Sequence, residues 1–169
     1  VTVAYSYIGP KLTYPIYYDG TIGQAKRHLT KTAEKINEKY SDVKAYISVN
    51  KALVTQASAA IPIVPLYFAI LYKVMKAQGT HEGCIEQISR LFHEKLFVEK
   101  PVTDEQGRIR MDDWELSDEV QDKVMECWKN VTTENVTELS DIDGYWQDFY
   151  QMFGFHLDGV DYAKDVDLE

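Results

Sequence analysis

Residues 1–50 read VTVAYSYIGPKLTYPIYYDGTIGQAKRHLTKTAEKINEKYSDVKAYISVN, and this stretch decides the fold class. Residues 1–8 alternate in polarity and are rich in β-branched and aromatic side chains until a Gly-Pro pair stops the pattern, which is typical of a β-strand. Residues 44–50 have the same character. Between the two, apolar side chains recur every three or four positions over residues 21–40, which predicts a long amphipathic helix.

The order strand, helix, strand predicts a βαβ unit. Its two strands should lie side by side and parallel, with a right-handed connection. Thr21 and Gln24 have the spacing of a capping box and are expected to begin the helix. The front of the chain is therefore predicted to be α/β.

After this unit the sequence patterns are almost all helical. Helices are predicted over residues 66–76, 81–96, 117–129 and 142–153. Ser117 is the expected N-cap of the third of these helices, and a glycine ends the fourth. Residues 104–111, DEQGRIRM, combine a turn signal with a short alternating run, which favours a loop or a small hairpin.

The composition argues against several kinds of partner. The net charge is −9, and no Lys/Arg-rich stripe is interleaved with aromatic residues, so nucleic acid is not expected. The longest apolar stretch, residues 59–72, is shorter than the ~20 residues of a membrane span and contains two prolines. The four histidines are scattered without an HExxH motif, so no metal site is predicted.

The start of the sequence and the two cysteines indicate whether the chain is part of a longer protein and in which cellular compartment it folds. The chain begins at Val1 and enters a strand at once, so we expect it to be cut from a longer protein. Cys84 and Cys127 lie far apart without a CxxC spacing and are expected to be mostly buried thiols in a reducing compartment. With no signal-peptide pattern at the start, the cytoplasm is the expected location.

A tyrosine and a lysine near the start could form a catalytic pair. Tyr17 and Lys26 would lie on opposite faces if one helix held both. They can meet only if Tyr17 precedes the helix, and an Asp-Gly turn signal separates the two at the required place. Tyr17 is then predicted in a loop above a strand end, with Lys26 on the second turn of the helix.

Such a pair has a clear chemical use. An ammonium beside a phenol favours phenolate or strengthens the phenol as a donor, so the tyrosine can stabilise an oxyanion and pass a proton. The lysine can also hold a ribose hydroxyl. The alternative without a functional role is that Tyr17 is a packing residue and Lys26 an exposed helix lysine, both of which are common.

Four strings in the sequence are more specific than this spacing. YSYIGPKLTYPIYYDGTIGQAK (5–26), KALVTQASAAIPIVPLY (51–67), AQGTHEGCIEQ (77–87) and DDWEL (112–116) closely resemble the trans-2-enoyl-CoA reductases of anaerobic bacteria and the related V-type enoyl-acyl-carrier-protein reductases. The resemblance covers nearly the whole chain.

The resemblance implies catalytic roles for three residues. The family motif is a tyrosine, eight intervening residues and a lysine, which Tyr17 and Lys26 match, and a second family tyrosine ten residues earlier matches Tyr7. Tyr17 would then hydrogen-bond the thioester carbonyl, Lys26 would bind the nicotinamide ribose, and Tyr7 would support the substrate site.

The resemblance also implies a cofactor-facing loop at residues 51–58. Leu53, Val54, Thr55 and Gln56 would lie against NADH, with backbone groups at Leu53 meeting the nicotinamide amide and Thr55 donating to the pyrophosphate. Without the resemblance, Thr55 is simply a helix cap.

The implied fold is the C-terminal part of a Rossmann-type reductase, a doubly wound parallel sheet with a helical lobe over the substrate cleft. Residues 1–62 would belong to the Rossmann-type part and residues 63–169 to the helical substrate-binding and C-terminal lobe. The family's Gly-rich turn is absent from this sequence. We therefore expect the N-terminal half to be required as a partner, and the chain alone to be inactive.

The expected function is NADH-dependent reduction of the trans-2 double bond of an enoyl-CoA in bacterial fatty acid metabolism. Reduction of an enoyl-acyl-carrier-protein is the alternative within the family, because the motif does not choose between the two thioesters. The alternative from another class is a non-catalytic, acidic helical interaction module.

Overall fold

Three parallel β-strands form the centre of the fold. The structure is a computed structural model that describes residues 1–165. β1 (Thr2–Ser6) pairs with β2 (Ala45–Val49), which pairs in turn with β3 (Arg108–Arg110). The predicted parallel pairing of the first two strands is confirmed.

The third strand corrects the prediction for residues 104–111. This segment does not form a hairpin, because Arg108–Arg110 pairs parallel with β2. Asp104 makes the turn before it, accepting hydrogen bonds from the backbone N–H groups of Gln106 and Arg108 at 3.0 and 2.9 Å. The alternating run was strand-like, but its partner lies far away in the sequence.

Helices account for most of the remaining chain. They are α1 (Thr21–Lys39), α2 (Gln56–Ala59), α3 (Val64–Gln78), α4 (Cys84–Arg90), α5 (Asp118–Asn130), α6 (Val136–Leu139) and α7 (Ile142–Gln151), with a 3₁₀ helix at Lys11–Thr13 and a π-helical segment at Leu91–Leu96. The predicted helices correspond to α1, α3, α4 with its π-helical continuation, α5 and α7. The short α2 and α6 were not predicted from the pattern.

The start of α1 differs from the prediction. Its N-cap is Gly20, which makes no side-chain hydrogen bond, and Thr21 is already helical, so the capping box is wrong. The helix instead begins against the preceding turn, where the N–H of Gly23 donates to the carbonyl of Tyr17 at 3.1 Å. Ser117, by contrast, caps α5 as expected.

Helices cover both faces of the sheet, which confirms the α/β class. On one face Ala45, Ile47 and Val49 share a buried cluster with α1. On the other face Tyr46 packs against the cluster that contains Leu91. Within residues 1–165, no helix is long and apolar enough to cross a membrane.

The largest core surrounds α3, which is apolar on nearly all sides and packs against α5 and α7. Helix α3 begins after Ile63, whose φ of 63° is left-handed, and ends at Gly79, where a φ of 69° suits a residue without a side chain.

Both cysteines are free thiols, and Cys84 is exposed, so the expectation that both are mostly buried is wrong at that position.

Candidate active site

Local hydrogen bonds place Tyr17 above the end of β1 and Lys26 on α1. After β1 the chain forms the 3₁₀ helix and a turn, in which the N–H of Tyr17 donates to the carbonyl of Thr13 at 2.9 Å. The Gly23–Tyr17 contact then starts α1, so that Lys26 falls on its second turn. The predicted arrangement of a loop tyrosine and a helix lysine is confirmed.

Both side chains line one cavity of about 190 Å³ at the carboxyl ends of β1 and β2. Its walls are Tyr5, Ser6, Tyr7, Tyr17, Lys26, Asn50, Lys51, Leu53, Thr55, Ser58, Val64 and Phe68. Ligands of parallel α/β sheets bind beyond the carboxyl ends of the strands. The position and the mixture of aromatic walls with a few polar groups suit a planar ring and its sugar.

A second cavity, of about 280 Å³, lies between α1 and β3. It shares Ser6 and Lys26 with the first cavity, but Tyr17 and residues 51–58 do not line it. Because Tyr17 and the loop predicted to face the cofactor line only the smaller cavity, it is the candidate active site.

Tyr17 is suited to donate a hydrogen bond as a neutral phenol. Its side chain is buried, and its ring meets that of Tyr7 edge-on with centroids 5.3 Å apart. Burial raises the pKa of the Tyr17 hydroxyl, because the phenolate would lose its hydration. Of the two possibilities that the sequence left open, the structure thus favours the phenol over the phenolate.

Tyr7 lines the cavity with its ring while its hydroxyl turns towards the core. The hydroxyl donates to Oε1 of Glu115 at 3.0 Å. Burial, followed by the charge of Glu115, raises the pKa of Tyr7 well above its usual value. In this state its single proton is committed to the carboxylate and is not offered to the cavity.

The predicted cofactor-facing residues separate into two groups. Leu53 and Thr55 line the cavity, whereas Val54 and Gln56 are not among its walls. The N–H of Val54 instead donates to the hydroxyl of Tyr72 at 3.2 Å. Gln56 is exposed in the first turn of α2.

Thr55 does act as a helix cap. Its Oγ1 accepts from the N–H of Ser58 at 3.1 Å, and the Ser58 hydroxyl accepts from the N–H of Thr55 at 2.9 Å. This reciprocal cap holds the loop against the cavity. Because Thr55 uses its oxygen as an acceptor, its hydroxyl proton is still available to a ligand, and the pyrophosphate role stays a prediction.

Lys51 is a site residue that the sequence did not single out. Its ammonium is buried, donates to the carbonyls of Ala52 and Glu82 at 2.9 and 3.2 Å, and lies 4.7 Å from the ring centre of Tyr72. Burial lowers the pKa of Lys51 to about 8. The Lys51 ammonium thus places a positive charge on the core side of the loop, next to the carbonyl of Ala52.

A buried ion cluster supports Lys51 from beneath. The guanidinium of Arg90 donates to both carboxylate oxygens of Glu82 at 2.7 Å and to Asp113 at 2.9 Å. It also stacks 4.1 Å from the ring centre of Trp114. Such a bidentate pair holds Glu82, whose carbonyl receives Lys51, in one position.

Glu115 is the second missed residue, and it is completely buried. Its Oε1 accepts from the hydroxyls of Tyr7 and Tyr67 at 3.0 and 2.8 Å, and its Oε2 accepts from the N–H of Ala52 at 2.6 Å. Burial raises the pKa of this carboxyl to about 7. It belongs to DDWEL, one of the strings that carried the family resemblance, but nothing in the string indicated this contact.

Among residues 1–165, no group of three or more His, Cys, Asp or Glu side chains is arranged to hold a metal ion. The polar groups of the residues that line the cavity are hydroxyls, an amide and the ammonium of Lys26, because the Lys51 ammonium is bound to the carbonyls of Ala52 and Glu82 in the core. They suit hydrogen-bonding and cationic contacts to an organic ligand.

Two family models match the chain. Residues 1–97 match the trans-2-enoyl-CoA reductase catalytic region, and residues 103–166 match the enoyl reductase FAD binding domain.

Proteins of similar sequence come from several organisms. An enoyl-[acyl-carrier-protein] reductase [NADH] of Cytophaga hutchinsonii is 59% identical over 168 residues, which are 98% of this chain and 42% of that protein. A trans-2-enoyl-CoA reductase [NADH] of Clostridium perfringens is 59% identical over 169 residues, 99% of this chain and 43% of that protein. The chain thus spans less than half the length of these relatives.

A solved structure is also similar. The trans-2-enoyl-CoA reductase of Clostridium acetobutulicum, crystallised in complex with NADH, superposes with a TM-score of 0.93 at 57% identity, over 98% of this chain and 43% of that one. The fold predicted for the chain, the C-terminal part of a Rossmann-type reductase, agrees with this match.

The flavin in the second family description does not fit the residues found here. The cavity nearest to α5 is lined by Asp118 and Asp122 against Lys11, so its wall carries net negative charge. Ser117 already caps the N-terminus of α5. A flavin diphosphate would need positive charge or free N–H groups at this place.

Proposed function

The chain belongs to the trans-2-enoyl-CoA reductase family, and on this premise we propose that it forms the C-terminal part of an enzyme that reduces the trans-2 double bond of an enoyl-CoA with NADH. One observation carries the proposal: the Tyr17 phenol, Lys26 and the loop at Leu53 and Thr55 converge on a single cavity at the ends of the strands. The similar clostridial reductase forms a complex with NADH, which supports the choice of cofactor.

The residues of the cavity fit the nicotinamide end of such a cofactor. Phe68 and Tyr5 contribute aromatic side chains to the walls of the cavity, and Lys26 and Leu53 line it too. Lys26 is proposed to bind the ribose hydroxyls, and backbone groups of Leu53 the carboxamide. When bound, NADH supplies the hydride that reduces the β-carbon of the substrate. The Gly-rich turn that would hold the pyrophosphate is absent from these residues, so the N-terminal half is proposed as an obligatory partner.

Tyr17 is the proposed oxyanion donor and acid. As the β-carbon is reduced, negative charge moves to the thioester oxygen, where a neutral phenol can donate a strong hydrogen bond. The same tyrosine can then supply the proton that the α-carbon requires. Its raised pKa keeps that proton in place until the charge develops.

Lys26 and the apolar walls support this step. The ammonium of Lys26 holds the ribose and adds positive charge near the developing enolate. Val64, Phe68 and Tyr7 line part of the cavity with apolar surface. A substrate bound against this surface would displace water, and each of these electrostatic contacts is stronger where water is excluded.

The division of the chain follows from the same proposal. Residues 1–62 are proposed as part of the Rossmann-type domain, and residues 63–169 as the substrate-binding and C-terminal lobe, of which residues 166–169 lie outside the described part. The packing of α3 with α5 and α7 in a cluster other than that of α1 and the sheet supports this division for the helices. β3 (Arg108–Arg110) is the exception, because it pairs with β2 and so belongs with the Rossmann-type part.

CoA thioester is the proposed substrate, with the acyl-carrier-protein thioester as the alternative. The complete polypeptide should oxidise NADH with crotonyl-CoA at a higher kcat/KM than with crotonyl-acyl-carrier-protein, and should not oxidise it with butyryl-CoA, which lacks the double bond. Preference for the carrier-protein thioester would reverse the substrate assignment. Failure with both thioesters would favour a non-catalytic binding module.

We also propose a cytoplasmic location and a place in bacterial fatty acid metabolism. The names of the relatives, which include enoyl-acyl-carrier-protein reductases, support the metabolic part. Fractionation of the source cells with antibody detection would test the location, and a signal confined to the membrane or the medium would contradict it.

A further inference from the structure

The carboxyl group of Glu115 joins three segments beneath the candidate active site. It follows β3 in the chain and reaches under the end of β1, where it receives the hydroxyl of Tyr7 at 3.0 Å. It also receives the N–H of Ala52 at 2.6 Å, where the cofactor-facing loop begins, and the hydroxyl of Tyr67 on α3 at 2.8 Å. A glutamate is rarely buried completely unless its oxygens are hydrogen-bonded, and one of the three donors to Glu115 belongs to Tyr7, a residue of the cavity wall.

The hydrogen-bonding capacity of this acid depends on its proton. An ionised carboxylate only accepts, so the Tyr7 proton must point down to Oε1. The protonated carboxyl has a donor of its own. Because the N–H of Ala52 occupies Oε2, the added proton belongs on Oε1, which faces the hydroxyls of Tyr7 and Tyr67.

The oxygen of Tyr67 already accepts from Nε2 of Gln121 at 3.2 Å, so the added proton is donated to Tyr7, and protonation frees the proton of Tyr7. A phenol oxygen can accept from the Glu115 carboxyl while its own hydrogen rotates away. The ring of Tyr7 lines the cavity and meets that of Tyr17 edge-on at 5.3 Å. No bond to carbon is made or broken; one proton is added to Glu115 and one hydrogen bond reverses its direction.

We propose that Glu115 is a positioning residue that acts through Tyr7: when the acid is protonated, the Tyr7 oxygen accepts from Glu115, and the hydrogen of its hydroxyl turns away from Glu115 and supports Tyr17 on the thioester oxygen. This inference rests on the function proposed above. It identifies the protonated acid as the competent state and the ionised acid as a state in which Tyr7 is withdrawn.

The surroundings allow both states near neutral pH. Burial raises the pKa of Glu115 to about 7, against the hydrogen bonds of Ala52 and Tyr67 and the positive charge of Lys51, which favour the ionised form. Asp112 adds a smaller effect that favours the protonated form. From α5, the neutral amide of Gln121 donates to the hydroxyl of Tyr67 at 3.2 Å and to the backbone carbonyl of Glu115 at 2.6 Å.

The first measurement is kcat as a function of pH for the complete polypeptide with NADH and crotonyl-CoA. The rate should fall as pH rises through about 7. Where only the protonated acid is competent, the decline approaches about tenfold per pH unit.

Glu115→Gln is the decisive variant. The N–H of Ala52 requires an acceptor, so the amide oxygen takes the place of Oε2 and the NH₂ group faces the two tyrosines. The variant thus copies the protonated acid. Its rate should lie within about threefold of the low-pH rate of the wild type and lose the decline near neutral pH.

Two tyrosine variants separate this role from simple packing. Tyr7→Phe removes the group through which Glu115 acts and should also lose the transition near pH 7. Tyr67→Phe removes a donor to the same oxygen outside the cavity, so it should keep the transition. It should move the transition to higher pH, because the Tyr67 hydrogen bond lowers the pKa of Glu115.

Infrared spectroscopy gives a readout that needs no turnover. The carbonyl stretch of a protonated carboxyl should disappear as pH rises through about 7, and should be missing from Glu115→Gln. The C–O stretch of Tyr7, isolated by subtraction of Tyr7→Phe, should shift over the same range. If the enzyme reduces no enoyl thioester, the proposed function fails, and this titration still decides whether Glu115 controls Tyr7.

Opposite results would overturn the proposal. A Glu115→Gln enzyme that keeps the neutral transition, or loses rate equally at every pH, would show that the acid only packs. The same conclusion would follow from a Tyr7 band that is indifferent to pH, or from Tyr67→Phe abolishing the transition as Tyr7→Phe does.

Discussion

The backbone of Gly23 lies directly against that of Tyr18, and its N–H donates to the carbonyl of Tyr17 at 3.1 Å. A Cβ at position 23 would overlap the carbonyl oxygen of Tyr18, which is backbone and cannot rotate away. The close approach of α1 to the tyrosine turn therefore depends on a residue without a side chain. This contact sets where Tyr17 stands relative to Lys26.

Gly23→Ala should displace the tyrosine turn from α1. We expect a loss of about 1–3 kcal/mol of stability, the usual cost of forcing extra volume into a packed site, together with a lower kcat. Gly83→Ala is the control, because its Cβ would meet only the end of the Glu86 side chain. Urea unfolding and NADH oxidation would be measured for both; equal behaviour of the two variants would contradict the role of Gly23.

Tyr17→Phe should lower kcat in the complete enzyme by roughly 10²-fold or more, the scale of losing an oxyanion donor or general acid, while the Kd for NADH changes little. Tyr7→Phe should fall between this variant and the wild type. Tyr18→Phe is the matched control, because Tyr18 does not line the cavity. Steady-state NADH oxidation with crotonyl-CoA measures the effect. A nearly unchanged kcat in Tyr17→Phe would contradict the catalytic role of Tyr17.

Lys26→Ala should weaken NADH binding and also lower the rate, because the same ammonium is proposed to bind the ribose and to stabilise the developing negative charge. Lys35→Ala, an exposed lysine further along α1, removes the same charge away from the cavity and should change neither. Fluorescence titration with NADH gives the Kd, and stopped-flow gives the rate. A Kd unchanged in Lys26→Ala would remove the ribose role.

Acid should destabilise the protein through His81. Burial, with the charges of Lys51 and Lys76, lowers its pKa from 6.5 to about 4, and its Nδ1 is buried without a partner in the described part of the chain. The folded state therefore holds His81 neutral, so stability is complete above pH 6.5 and is lost as pH falls towards 4.

The test of this loss is His81→Phe, which keeps the ring against Tyr72 but cannot be protonated. Between pH 7 and 4.5 the wild type should lose about 2 kcal/mol more than the variant, a figure reduced for the partial exposure of His81. His28→Phe, at an exposed position, should follow the wild type. Urea midpoints at the two pH values provide the comparison, and parallel losses in all three proteins would refute the prediction.

The 169-residue chain by itself should bind NADH weakly and catalyse nothing. Its candidate cavity of about 190 Å³ is proposed to hold the nicotinamide end, and the Gly-rich turn is absent from the sequence. β1 pairs with β2 on one side, while no described strand pairs with its other edge. Adding a separately produced N-terminal half, with its Gly-rich turn, should restore NADH oxidation with crotonyl-CoA. Activity of the isolated chain at the level of the complete enzyme would contradict this expectation.

The sequence by itself determined the features that depend on neighbouring residues. Strand alternation and helical periodicity predicted β1, α1 and β2 and their parallel order, because each pattern repeats within a few residues and has one low-energy arrangement. The same local logic placed Tyr17 in a turn and Lys26 on a helix. The four sequence strings that resemble the reductase family then implied catalytic roles for Tyr17 and Lys26. The spacing of these two residues alone could not distinguish such roles from simple packing.

Tertiary structure alone decided the features that join distant segments. The sequence of Arg108–Arg110 is compatible with a hairpin or with a third strand, and only its pairing with β2 decides for the strand. The start of α1 is set by the carbonyl of Tyr17 and not by a local cap at Thr21. Glu115 becomes a buried, protonatable acid only because donors 108, 63 and 48 residues away in sequence surround it. The pKa of a carboxyl depends on the solvent and the donors that folding brings to it, and no pattern of adjacent residues contains that information.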